Sequence, residues 1–175
     1  MKIYFFLVIM ATTWLAAGNL VVTKGQVKAH TEVLGDSSIN PSTTGLNSHL
    51  TIGNNIESIR GSIDISMSIL KSDNKDRDEH MLQAIEDVKY PVAKYTFNDV
   101  KKSDKGYIVS GILDFHGVKK PLVIQAQITK SNSKIDLEGT SSFLMSSYNV
   151  KPPKMLILTV RDQVDLAIDV KFETR

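Results

Sequence analysis

The sequence predicts an all-β domain of about eight antiparallel strands with one short helical insert. Three observations predict it. Ile63, Ile65, Met67 and Ile69 alternate with Asp64, Ser66 and Ser68; Val164, Leu166, Ile168, Val170 and Phe172 alternate with Asp165, Ala167, Asp169 and Lys171. A period of two places apolar side chains on one face of an extended strand and polar ones on the other. Turn residues punctuate the runs at short intervals, as antiparallel neighbours require. One segment, Asp76 to Val88, departs from that period and takes helical spacing.

The chain opens Met1-Lys2 and then runs apolar from Ile3 to Ala17, broken only by Thr12 and Thr13. The small residues Ala16-Ala17-Gly18 suit a signal peptidase, so residues 1–18 read as a cleavable leader and residues 19–175 as one exported domain, periplasmic or secreted. The rival reading is an uncleaved anchor, since Ile3 to Val22 is close to the length a bilayer requires. There is no cysteine, so the fold rests on burial alone, and thiol catalysis and Cys-type zinc sites are excluded. Lys and Arg number 21 against 19 Asp and Glu, a balance with no electrostatic reason to bind nucleic acid.

The remaining elements follow in order. Gln26 to Val33 and Ser48 to Ile52 alternate more weakly and read as strands, with Asp36 to Ser48 a polar loop between them. In the insert, Asp76 can cap the first turn with Glu79 three residues on, and Met81, Leu82 and Ile85 share a face. Pro91 forbids helix continuation and pushes Tyr90 into extended geometry. Strands then span Lys94 to Val100, Gly106 to Phe115, Leu122 to Ile128 and Ile135 to Met145. Ser103 to Gly106, His116 to Pro121, Ser131 to Ser133 and Lys151 to Lys154 supply the reversals. Such strands close as a barrel or split into a sandwich, and eight can enclose a packed core or one small ligand.

Residues in three blocks carry a resemblance. Arg77, Asp78, His80 and Met81 stand ahead of Lys89-Tyr90-Pro91 and Phe97; Tyr107, Val109, Gly111 and Leu113 run into Gly117, Val118, Lys120 and Pro121; the last strand reads Val164-Asp165-Leu166 with Ile168. In this order they resemble the YceI-like family of exported bacterial proteins, over Lys24 to Phe172. Where that family commonly has Arg-x-x-Phe-Gly, this chain has Ser146-Ser147-Tyr148-Asn149-Val150, with Tyr148 in place of the aromatic. The resemblance implies a lipocalin-like barrel whose apolar tunnel holds an isoprenoid lipid or isoprenoid quinone, without catalysis. It also implies a homodimer and transient contact with a membrane.

On that reading the tunnel is lined by Ile63, Ile65, Met67, Ile69, Leu82, Ile85, Phe97, Val109, Leu113, Phe115, Phe143, Met145, Tyr148, Leu166 and Ile168. The same side chains would equally make an ordinary barrel core. Arg77 and His80 are candidates to meet a ligand head group, by guanidinium fork and imidazole hydrogen bond; alternatively they tie the helix to nearby strand ends. His30, His49 and His116 are too dispersed for a metal-binding helix motif, and no serine sits in a nucleophile elbow. The alternatives to a lipid carrier are an enzyme acting inside the same cavity and a ligand-free module of the cell envelope.

Overall fold

The computed structural model describes residues 17–33, 37–152, 154–155 and 158–175, so most of the expected leader lies outside the described residues. The strands are β1 (Gly18–Val33), β2 (Ser37–Ile39), β3 (Ser42–Thr43), β4 (Leu46–Ile52), β5 (Arg60–Ser66), β6 (Val92–Ser103), β7 (Gly106–Phe115), β8 (Val118–Ser131), β9 (Lys134–Leu144), β10 (Lys154–Met155), β11 (Leu158–Thr159) and β12 (Gln163–Thr174). One α-helix, α1 (Lys75–Ala84), interrupts them. Pairing runs β12-β9-β8-β7-β6-β5-β4-β1, and β1 pairs with β12 again, so eight antiparallel strands close on themselves. Closure selects the barrel over the sandwich, because every long strand has a paired neighbour on both sides over part of its length.

Several boundaries differ from the sequence reading. The segment expected as a loop, Asp36 to Ser48, contains β2 and β3, which pair with β1 as Thr31↔Ile39 and Val27↔Thr43. Its polar composition hid this, yet Thr43 is buried and its hydroxyl donates to the Ser66 carbonyl at 3.1 Å. β5 stops at Ser66, since the Met67 amide donates to Pro91 and the chain turns through Leu70, whose amide donates to Met67. Ile69 therefore leaves the strand and stands 49% exposed. β8 begins at Val118, not Leu122: the reversal needs only His116 and Gly117, at φ 52° and 74°, the left-handed pair of a tight hairpin. The helix starts one residue earlier than expected and ends at Ala84. Its cap is Asn74, not Asp76: the Asn74 side chain accepts from the Arg77 amide at 3.0 Å.

Half of the inward phase makes a packed floor. Tyr95, Phe97, Ile63, Val109 and Leu50 are buried there, with the Tyr95 and Phe97 rings edge to face at 5.1 Å. The Tyr95 hydroxyl donates between the carbonyls of Leu122 (3.0 Å) and Val109 (3.2 Å). Gly111 makes room for that ring, since a Cβ there would fall 2.5 Å from Tyr95 Cζ. Gly111→Ala is thus expected to cost about 1–3 kcal/mol by overpacking, read as a lowered midpoint in urea.

Burial holds the Tyr95 phenol well above the ordinary tyrosine range. The folded state then keeps a proton that the unfolded state releases, so stability is complete below about pH 10 and falls as pH rises beyond it. Tyr95→Phe should cost about 1–3 kcal/mol at neutral pH, by leaving two buried carbonyls short of a donor. Across pH 9 to 11 its stability should also decline less steeply than the wild type's; parallel profiles would contradict this account.

Candidate functional site

Between the Tyr95 floor and α1 the barrel is hollow, enclosing a cavity of about 970 Å³. Well-packed interiors hold few voids larger than a water molecule, so this space is a feature of the fold rather than a packing defect. It lies near the upper end of the range of about 300–1,000 Å³ typical of small-molecule sites. Its wall takes Val27, Ala29 and Val33 from β1, Ile65 from β5, Ala93 from β6, Leu113 and Phe115 from β7, Phe143 from β9, and Val164 and Leu166 from β12. Thr31 is polar, but its hydroxyl is engaged by the carbonyls of Arg161 (2.9 Å) and Gln163 (3.0 Å). The barrel wall therefore offers almost no free polar group.

The structure sorts the expected lining into groups. Ile65, Met67, Ile85, Leu113, Phe115, Phe143, Met145 and Leu166 meet on the cavity wall, as do Arg77 and His80. Ile63, Phe97 and Val109 lie in the packed floor, with Val109 at 0% exposure. Tyr148 is buried behind the wall, its ring edge-on to Phe115 at 5.7 Å and Phe143 at 5.2 Å. Leu82 and Ile168 pack against the core outside the wall, and Ile69 points out. The sequence reading missed Val27, Ala29, Val33, Ile39, Leu70, Met81, Ala84, Ala93, Val150, Val160 and Val164. Arg77, His80, Met81 and Ala84 fall at i, i+3, i+4 and i+7, a helical stripe that the sequence did carry.

That stripe is polar at its N-terminal end and apolar at the other. Arg77 Nη1 donates to the Ser38 carbonyl at 3.0 Å, binding α1 to β2, and Nη2 lies 3.4 Å from Asp73. Its Nε is buried and has no partner among the described residues. Asp78 turns the other way: its carboxylate accepts from the Ser72 amide and hydroxyl at 2.7–2.9 Å, pinning the loop that enters the helix. Arg77 thus serves the structural tie and still faces the cavity.

The far end of the helical segment is held by His116 at the tip of the β7–β8 hairpin. Its Nε2 sits 2.7 Å from the Glu86 carboxylate, its Nδ1 3.0 Å from the Tyr148 carbonyl, and the Tyr90 ring packs 4.5 Å away. Each ring nitrogen thus faces one oxygen, which fixes the plane of the ring between α1 and the segment after β9. Glu86 and Asn149 bend the chain here in left-handed conformation, at φ 48° and 60°. With Tyr148 set in the aromatic position, Asn149 stands where the family pattern has glycine, and asparagine tolerates that conformation. Met145, on the cavity wall, then stands where the pattern has arginine.

A model of the YceI-like domain matches residues 19–172, and the chain belongs to that family. A UPF0312 protein of Photorhabdus laumondii is 34% identical over 68 residues, 38% of this chain and 35% of the relative, so the chain spans about a third of that relative's length. BcnA of Burkholderia cenocepacia superposes with a TM-score of 0.73 at 13% identity, covering 84% of this chain and 95% of that one. A polyisoprenoid-binding domain from Saccharophagus degradans, implicated in plant cell wall breakdown, gives 0.63 at 15% identity, over 93% and 100%. At such identities the likeness is one of fold.

His116→Ala should free the segment after α1 without unfolding the barrel. Loss of a contact worth about 1.4 kcal/mol would speed amide exchange of Lys89 and Tyr90 roughly tenfold. Exchange unchanged from the wild type would show that the histidine does not hold the helix.

Proposed function

We propose that the protein binds an amphiphilic isoprenoid lipid, quinone-like or polyprenyl, in the cavity and does not transform it. After export by a cleaved leader it would sequester or carry that lipid through the periplasm, meeting membranes transiently and associating as a homodimer. The observation that carries this reading is the 970 Å³ hollow, apolar along the barrel wall and polar only beside the start of α1. An apolar chain loses about 0.8 kcal/mol of unfavourable hydration for each methylene transferred from water. The wall asks for no hydrogen bond in return. The unpartnered Arg77 Nε and the nearby His80 offer donors to an oxygen-bearing head group. The family membership and the fold shared with a polyisoprenoid-binding domain support the same ligand class.

Among the described residues, the titratable side chains on the cavity wall are Asp76, Arg77 and His80, all near the start of α1, while the Thr31 and Thr43 hydroxyls are engaged by backbone carbonyls. This favours binding over catalysis. Organic extraction of the exported protein, followed by lipid mass spectrometry, is expected to return an isoprenoid species in near-stoichiometric amount. Ala93→Phe, which fills the wall, should lower the yield at least tenfold while the barrel still melts cooperatively. A wild-type protein that yields no lipid and takes up none from vesicles would overturn the proposal.

A further inference from the structure

The barrel wall is not sealed along its whole height. Between β8 and β9 the ladder runs from Ser131↔Lys134 to Gln125↔Thr140 and stops. β8 nevertheless continues to Val118 in full register with β7, and β9 continues to Leu144 in full register with β12. Among the described residues, nothing pairs with the facing edges of Val118–Ile124 and Ser141–Leu144. One bond spans the start of the gap, from the Ser141 hydroxyl to the Val123 carbonyl at 2.7 Å.

β8 carries one reason the pairing does not resume. Val123 points its carbonyl at β9, so by the two-residue alternation Pro121 presents its nitrogen to that same edge. Proline has no N–H to give, and a ladder cannot continue through it. Lys119 and Lys120 beside it further blunt the edge against another strand. Two aliphatic side chains stand exposed beside the gap, Val123 at 47% and Leu144 at 46%. An outer groove of about 1,020 Å³ lies over this seam. Leu122 and Ser141 stand on the inward phase of their strands, yet both line it. Phe143, two residues beyond Ser141, lines the inner cavity. Groove and cavity thus approach each other along β9, two residues apart at the seam.

We infer that this seam is a lateral portal, through which the apolar chain of the ligand slides between the outer groove and the cavity without displacement of α1. The inference rests on the lipid-binding reading. An edge refused to strands, with Leu122, Val123 and Leu166 set among polar neighbours such as His30 and Asp165, suits an amphiphile whose hydrocarbon enters while its polar end stays outside. The single Ser141 bond is its latch.

The chain has no cysteine, so an engineered pair has one way to bridge. In the register of the ladder Val123 faces Ser142, and Val123→Cys with Ser142→Cys would staple the seam shut. Thr129→Cys with Asp136→Cys staples the same two strands where they are already paired. Transfer of a dansyl-labelled farnesol from the protein to phosphatidylcholine vesicles is followed by stopped flow, oxidised and reduced. The seam staple should slow transfer at least tenfold, reversibly with reductant and with equilibrium binding retained, and the control staple should leave it unchanged. Ser141→Ala, which needs no bridge to form, should speed transfer severalfold. Binding with transfer rates indifferent to both the staple and Ser141→Ala would overturn the portal alone. A wild-type protein that fails to bind the probe would overturn the lipid reading, and the portal with it.

Discussion

The depth of the cavity is set by one buried phenol. Tyr95 lies along the inner wall over β7 to the carbonyls of Val109 and Leu122, and its ring occupies the space that Gly111 leaves open. With Phe97 beside it, and Ile63, Val109 and Leu50 buried at the same end, side chains fill this part of the interior. Past it, the same inward phase of the same strands faces empty space, because α1 roofs that end with a helix instead of filling it with side chains. A wholly packed barrel would need no roof. The two devices, plug and lid, divide one closed sheet into a structural half and a half available to a guest.

The lid is fastened by polar contacts at both ends and is apolar between them. Arg77 ties the first turn to Ser38, and Asp78 pins the entering loop to Ser72. Glu86 meets His116 at the other end. Each fastening is a directional bond at the rim, where water can compete, so it holds position without committing the interior to any polar partner. Arg77 adds to this a buried Nε that no described group satisfies. Such a donor is costly to leave idle, which is why it reads as directed at something the cavity receives.

How much of this was visible in the sequence depends on what each signal encodes. Alternation in Ile63–Ile65 and Val164–Phe172 encodes which face is buried, and the barrel follows from eight such strands with short turns. Alternation says nothing of depth. Val109 and Leu113 share one strand and one phase, yet one lies in the floor and the other lines the hollow. Depth is fixed by Tyr95 and Gly111, whose partnership spans neighbouring strands and leaves no periodic trace. Asn74 was passed over as the cap because Asp76, two residues on, satisfies the same preference. β2 and β3 were hidden because their burial comes through Thr43 and Ile39 within a Ser- and Asn-rich stretch. Pro121 reads in the sequence as a turn residue; that it sits on the unpaired edge of β8 is visible only in the pairing register.

The central claim is that the hollow half of the barrel exists to hold an apolar chain. A crystal structure of the full-length protein purified from cells, with no lipid added, tests it most directly. The account predicts continuous, tube-like density against Leu113, Phe115 and Phe143, with its polar end beside Arg77. A space filled by rearranged side chains, or holding only ordered water, would contradict it.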